Sequence, residues 1–472
     1  MERREYEENM KRILLHYFVW EREYAILNIL KAELEKRNMI VGYAHFLNIS
    51  ECLEFAPDII VTHTVRADIA TKVLSVMKLA TGAVLIPMTV EGYYDMDNVH
   101  KVISMVGANA CPIDLIDYHI MWGEKAKEKE GEQLLRLHKI TSIDKIKVFG
   151  YIFYEKQKVL AYAKECDYYS IFAEWRKKYK RIIACITGFA RAEETMEDIY
   201  RSEPFTDNEG SEQYKKEVSF FEKLLVFIRE YRSKYIEDIV QFAHTHPHIG
   251  IVVKLHPAEI NAKNMQYYSI LRHHENILLI DREFPISAIL EEAQMLVHYG
   301  STTALEAYVY EVPTILRSTK SIDSESFDII PGDERFHLYT EKVSIDDYDE
   351  FRHKLENGIE FRDDPKTEAV LADAFNWTRD AEYCPSVKMA DFLSSNLITT
   401  KLRLKELLNE GFITKKYLQQ ARMGIYKKLR IALLASNVKK AWYYFRCACK
   451  LMSSPFALLD DTIEYLKFRI NR

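Results

Sequence analysis

The chain has no apolar run near the ~20 residues that a bilayer-spanning helix needs. Its start, Met1-Glu2-Arg3-Arg4-Glu5, leads into mixed charge rather than a secretory apolar region. The expected compartment is therefore the cytoplasm. Cysteine is scarce and odd in number: seven residues, scattered at 52, 111, 166, 185, 384, 447 and 449. That pattern argues against a disulfide framework, and Cys447-Ala-Cys449 has the wrong spacing for a zinc knuckle, so idle reduced thiols are expected. There is no short internal repeat and no low-complexity tract. A convincing Asp-x-Asp metal element is also missing, because Asp95-Met-Asp97 has the letters but falls in a loop. No metal and no cofactor are expected.

What is present is enough chain for more than one core. A length of 472 residues, 48% of them hydrophobic and 29% charged, fits soluble globular domains and predicts two of them plus a terminal extension. Charge is unevenly spread. Residues 401–472 hold sixteen Lys or Arg and five Asp or Glu, giving +11, so the net −6 leaves −17 on residues 1–400. A basic tail on an acidic body points to an anionic partner for the tail; nucleic acid is not expected.

Short apolar runs alternate with amphipathic stretches throughout the body. Strands are expected at 13–18, 39–45, 59–62, 83–88 and 118–122, with helices at 21–37 and 67–79 between them. A second series starts at 182–187 and continues at 249–255, 277–280, 295–298 and 314–316, with a long amphipathic helix at 216–244. Strand–helix–strand repetition builds wound parallel sheets covered by helices on both faces. The expected division is a first Rossmann-like domain over 1–170, a second over 171–385 and a basic helical extension over 386–472. Ligands of such sheets bind outside the carboxyl ends of the strands, so a cleft between the two domains is the expected site.

Two segments carry chemistry. In Val252-Val-Lys-Leu-His256-Pro257 a buried strand ends in Lys254, and Pro257 stops it, throwing His256 out at the edge. The imidazole can donate to a phosphate oxygen and Lys254 adds charge, although a capped surface histidine would look the same. His246-Pro247 lies between helix and strand and reads as loop. In Met295-Leu-Val-His-Tyr-Gly300-Ser301-Thr302-Thr303-Ala-Leu-Glu306 a strand runs through a glycine and three hydroxyls into a helix. Gly300 permits close backbone approach, Ser301 or Thr302 can cap the helix, and free N–H groups with the hydroxyls would make an anion site. Glu306 can reach back as a capping-box partner or forward to sugar hydroxyls. The two segments are read as neighbouring strand ends of one sheet. In the first domain, Ala83-Val-Leu-Ile-Pro87-Met-Thr-Val-Glu91-Gly92 places a carboxylate past a strand end, with Asp95 and Asp97 close behind as substitutes. His63, with Arg66 near, is a lesser candidate there.

Lys254-Leu-His256-Pro257, then Gly300-Ser301-Thr302-Thr303-x-x-Glu306, then Val312-Pro313-Thr314-Ile315 resembles the nucleotide half of GT-B glycosyltransferases over about residues 180–320. More narrowly it looks like bacterial capsule and lipopolysaccharide Kdo transferases, bacterial sialyltransferases and the glycerol-phosphate polymerases of wall teichoic acid. The resemblance implies that the Lys254-x-His256-Pro257 segment and a Ser/Thr pair within Ser301, Thr302 and Thr303 hold the phosphate of a nucleotide-sugar donor, a CMP-linked acidic sugar such as Kdo or a nonulosonate, with Gly300 and Glu306 also in the nucleotide site. It implies that Glu91, or Asp95 or Asp97 in its place, acts on a glycan or lipid-linked glycan acceptor, opposite His256. The teichoic polymerases carry further first-domain histidines that the sequence does not disclose. UDP-sugar transfer, polyol-phosphate transfer, a nonhydrolysing sugar-nucleotide epimerase and a non-catalytic scaffold are the rival readings. The helices of the tail either pack on the body or also lie on an anionic membrane, with the protein peripheral to its inner face.

Overall fold

Runs of Ile, Val and Leu too short for helices set the strands. The computed structural model describes residues 10–18, 20–63, 68–88, 111–112, 114–137, 139–202, 211–318, 340–379, 382–413, 415–435 and 437–452. The chain divides into two compact units, Met1–Glu155 with Val370–Arg472, and Lys156–Ala369.

In the first unit β1 (Arg12–Tyr17), β2 (Ile40–His45), β3 (Ile59–Thr62) and β4 (Val84–Pro87) form a parallel sheet in the order β2-β1-β3-β4. β3 and β4 are buried along their whole length, as strands covered by helices on both faces must be. Helices Trp20–Glu35, Ile49–Phe55 and Asp68–Thr81 connect the strands. A short parallel pair, β5 (His119–Met121) and β6 (Ile146–Val148), joins the β4 edge through one bridge from Met88 to Ile120.

The second unit is one parallel sheet of β7 (Ile182–Ile186), β8 (Gly250–Lys254), β9 (Ile277–Ile280), β10 (Met295–His298), β11 (Thr314–Ser318) and β12 (Glu341–Ser344), ordered β12-β11-β10-β7-β8-β9. The helix Glu212–Thr245 covers one face, where Tyr235, Ile239 and Phe242 share a core with Ile183, Val253 and Val297. Phe172 and Trp175 cover the other face against Ile182, Val252 and Leu296. Both units are therefore α/β with wound parallel sheets, and the C-terminal region is helical.

The units run differently from the divisions at 170 and 385. Helices Lys156–Glu165 and Tyr168–Arg176 belong to the second sheet, because Ala163, Tyr168, Phe172 and Trp175 bury against it. The tail returns to the first unit. Leu407, Ile413, Leu418, Ile425, Tyr444 and Cys447 bury against Leu53, Val76, Leu79 and Ala80. An apolar helix face declares that it will be buried; which body buries it is a tertiary matter. Two strands escaped the sequence reading, β6 and β12. Each is short and charged, and β12 is an edge strand that pairs without an apolar run.

One buried carboxylate organises the first unit. Asp117 lies 2.8 Å from Lys78, both side chains being almost wholly buried. It accepts the N–H of Leu85 in β4 at 2.8 Å and the N–H of Thr400 in the returning tail at 2.7 Å. Lys78 also donates to the carbonyls of Asp114 and Leu115. Burial pushes the Lys78 pKa down, and Asp117 opposes that shift. Asp117→Ala should lower stability by about 3–5 kcal/mol, because an ammonium is left buried without its partner. Adding Lys78→Met to Asp117→Asn should recover part of the loss in a thermal melt.

Candidate functional site at the strand reversals

In a wound parallel sheet the connections leave to both sides from the point where strand order reverses, and the diverging loops open a crevice there. In the second unit that point lies between β10 and β7; in the first it lies between β1 and β3.

The second unit's crevice is built from three strand ends rather than two. β7 stands between β8 and β10, so the His256 and Ser301 segments are not on neighbouring strands. The chain reaches β9 at one edge, then crosses back to lay β10 beside β7, a step invisible in sequence order. The β7 end, Thr187-Gly188, therefore joins the site and was not singled out. A Cβ on Gly188 would fall 2.0 Å from the Tyr299 hydroxyl, so only glycine fits where Tyr299 donates to its carbonyl.

Glu259, also not singled out, ties these ends together. Its buried carboxylate accepts the Thr187 hydroxyl at 2.6 Å, the His256 N–H at 3.2 Å and the Tyr268 hydroxyl. Burial pushes its pKa up, while the hydrogen bonds from Thr187, Tyr268 and His256 pull against it. Pro257 opens the 3-10 turn Pro257–Glu259, and His256 caps it: Nδ1 accepts the Ala258 N–H at 3.2 Å. The proton of the neutral ring is then on Nε2. Half of the plain capping reading is thus realised, on one nitrogen of an exposed ring.

On the β10 side Gly300 adopts φ +128°, a conformation side chains rarely take. The Ser301 hydroxyl accepts the Thr303 N–H at 3.2 Å, whereas Thr302, at the N-cap position, makes no side-chain cap. The N–H groups of Gly300 and Ser301, expected to be open to an anion, instead donate to His298 Nδ1 at 3.2 and 3.3 Å. One nitrogen lone pair thus serves two donors, neither of them strongly. His298 is fully buried and its pKa is lowered to about 3 by burial, so the ring is neutral and pins the loop as an acceptor. Its Nε2 has no partner among the described residues.

Glu306 makes no capping box; the charge it feels is that of Lys254. Burial pushes the Glu306 pKa up to about 7, with Lys254 opposing. Burial likewise lowers Lys254 to about 8, against the pull of Glu306 and Glu259. Lowered to about 8, Lys254 stays mostly protonated at neutral pH and loses its charge as the pH rises past that value.

In the first unit Glu91, Asp95 and Asp97 lie outside the described residues, as does Arg66. His63 follows β3 and is buried, with Nδ1 3.7 Å from Glu23. Glu23, itself without exposure, also accepts the Phe18 N–H at 2.9 Å. The half-exposed Phe18 ring stacks on His63 at 6.1 Å, and His16, buried between β2 and β3, is lowered to about 3 by burial and by His45. Three histidines thus collect at the carboxyl ends of β1, β2 and β3, where the sequence disclosed only His63. Their spacing of 29 and 18 residues has no local period; the parallel register, which pairs His16 with Ala44 and Tyr17 with His45, collects them. Among the described residues, no group of three or more His, Cys, Asp or Glu is placed to hold a metal ion.

The class defined by the fold is a two-unit α/β protein with a wound parallel sheet in each unit. No protein-family model matches the chain, and no curated protein matches it. Solved structures do. The Methanocaldococcus jannaschii UDP-GlcNAc 2-epimerase in complex with UDP-GlcNAc and UDP is 14% identical, with 82% of this chain and 99% of that one covered and a TM-score of 0.44. The Neisseria meningitidis UDP-GlcNAc 2-epimerase bound to UDP-GlcNAc is 13% identical, covering 81% and 99% at a TM-score of 0.46. A variant of the wall teichoic acid polymerase TagF is 10% identical, covering 82% and 89% at a TM-score of 0.46.

Glu259→Ala should cost about 3 kcal/mol, since it removes the acceptor of the Thr187 and Tyr268 hydroxyls and of the Phe189 and His256 N–H groups, the last of which keeps only Thr187. Glu259→Gln, which keeps an acceptor, should lose less. Chemical denaturation of the two variants side by side checks the ordering.

Proposed function

We propose that the protein is a glycosyltransferase of GT-B type. It takes a sugar from a nucleotide donor, a CMP-activated acidic sugar such as Kdo or a nonulosonate, to a glycan or lipid-linked glycan of the bacterial surface. The observation that supports the reading is that Lys254 and His256 at the end of β8, and Gly300 and Ser301 after β10, lie on either side of the β7 end at the second unit's strand reversal. At such a place a leaving phosphate meets an ammonium, an imidazole N–H and serine and threonine hydroxyls, which stabilise developing negative charge without a metal. Pro257 holds His256 at the strand end, and Thr302, Thr303 and Glu306 complete the wall, Glu306 setting the charge of Lys254. On the first unit Glu91, with Asp95 or Asp97 as substitute, is proposed to act either as the base that takes the acceptor hydroxyl's proton in an inverting transfer or as the nucleophile that attacks the donor's anomeric carbon, displacing the nucleotide, in a retaining one.

The donor test is a thermal-shift screen of CMP, CDP, UMP and UDP, since a true ligand stabilises by mass action. CMP should give the largest shift. A preference for UDP would move the reading to a UDP-sugar enzyme, and one for CDP to polyol-phosphate transfer. His256→Ala should weaken binding by about ten- to a hundred-fold, the loss of one charge-assisted hydrogen bond. Unchanged affinity in the folded variant would refute the assignment.

The pH dependence has a definite sign. Phosphate binding favours charged Lys254 and raises its pKa, so binding takes up a proton above the free value of about 8. Affinity should fall as pH rises through 8, and Lys254→Arg, which stays charged, should flatten that fall. Isothermal titration at pH 7 and pH 9 reads both.

Glu91→Gln should lower turnover by about 10²–10⁴ while leaving nucleotide affinity intact. Full activity in that variant and in the Asp95→Asn and Asp97→Asn variants would refute the carboxylate assignment, whereas a parent protein with no transfer activity on any of these donors would favour the scaffold reading.

A further inference from the structure

The helix Val438–Lys450 carries two apolar stripes where a helix packed on a body needs one. Ala441, Tyr444, Cys447 and Ala448 form the inner stripe, buried with Val76, Leu79 and Ala80 of the first unit. Val438, Trp442 and Phe445 form the second at the same helical spacing, and they are 77%, 60% and 41% exposed, the two rings stacked on each other. The preceding helix, Lys415–Leu434, ends the same way: Ile431, Leu433 and Leu434 are 56%, 62% and 76% exposed just before the turn into the next helix. Six large apolar side chains thus crowd one helix–turn–helix tip. Elsewhere among the described residues, exposed apolar side chains are scattered.

The charge around the tip has one sign. Residues 415–452 contain ten Lys or Arg and no Asp or Glu. Part of that charge is engaged on the body: Lys428 pairs with Glu54 at 2.6 Å, Lys450 donates to the Thr81 carbonyl, and Arg422 is buried. Lys427, Arg430, Lys439, Lys440 and Arg446 are exposed as well, Lys440 near enough to Glu54 to help lower its pKa. A purely structural helix pair accounts for the inner stripe and the engaged cations but not for the outer stripe. A second copy of the same face would bring like charge against like charge. A polyanion without apolar groups would leave the tip unburied.

We propose that this tip, residues 431–435 and 437–445, docks the protein on an anionic lipid bilayer: the apolar residues enter the headgroup–acyl boundary and the flanking cations meet acidic headgroups. No described helix is long and apolar enough to cross the bilayer, so the contact is made in the plane of the surface. This deepens the surface-glycan reading by placing the acceptor side at a membrane, and it rests on that reading only for its purpose, not for its chemistry.

The test is flotation of the full-length protein with vesicles of phosphatidylcholine alone or with one-third phosphatidylglycerol. Binding should require the anionic lipid and weaken as salt rises. Leu433→Ser with Leu434→Ser, and separately Lys439→Glu with Lys440→Glu, should each lower partitioning about tenfold or more. These positions are exposed, and the variants should melt like the parent. Trp442 should be quenched by brominated lipid in the parent, judged against Trp442→Phe. An intact protein that ignores anionic vesicles at low salt overturns the proposal. So does binding that survives loss of the leucines, or a dimer in sedimentation that the leucine variant dissociates. Nucleotide shifts measured on the same samples report the donor site separately, so either reading can fail alone.

Discussion

A carboxylate removed from water must be met by donors, and in the second unit Glu259 enforces that requirement. Its two oxygens collect a hydroxyl from the β7 end, an N–H from the β8 end and a tyrosine hydroxyl from the helix that follows. These partners are 72, 3 and 9 residues away in the chain. Because the carboxylate satisfies the backbone at His256, the imidazole is set at a fixed place above the sheet, and because it holds Thr187, the β7 loop cannot drift into the crevice. Everything proposed for the anion site presupposes that node.

Asp117 performs the corresponding task in the first unit, with the difference that it holds a charge partner. Lys78 and Asp117 neutralise each other inside the body, and the remaining acceptor capacity takes the backbone of Leu85 and of Thr400. The second of these explains why the last hundred residues belong to the first unit: the returning chain supplies donors that the buried carboxylate would otherwise lack, and its helices supply the apolar face that covers Leu53 and Val76. A tail committed in this way presents its opposite face outward, which is where the unexplained apolar stripe lies.

The electrostatics of the crevice follow from partial burial. Lys254 and Glu306 are each desolvated, and each is the other's main relief. With Lys254 lowered to about 8 and Glu306 raised to about 7, the lysine is mostly charged near neutral pH and the carboxylate is the partner close to its midpoint. His298 contributes in the opposite way. As a neutral buried acceptor it shapes the Gly300–Ser301 turn at every physiological pH.

The core strands were legible in sequence, because burial on both faces demands nearly continuous apolar residues, and such runs are plain at 59–62, 277–280 and 295–298, whereas β6 and β12 have none. The placement of Lys254 and His256 at the end of β8, and of Gly300 and Ser301 after β10, was legible because strand end, proline stop and glycine turn are local signals. Glu259 was legible in principle, three residues after His256 as a capping box requires, but histidine is not the usual capping residue and the pattern passed unread. Local signals say nothing about which strands become neighbours. Only the tertiary structure inserted β7 between β8 and β10, gathered His16, His45 and His63, turned the Gly300 and Ser301 N–H groups onto His298, and returned the tail to the first unit. Each of these depends on crossovers and buried pairings between residues tens to hundreds of positions apart, where no periodicity in the chain carries the information.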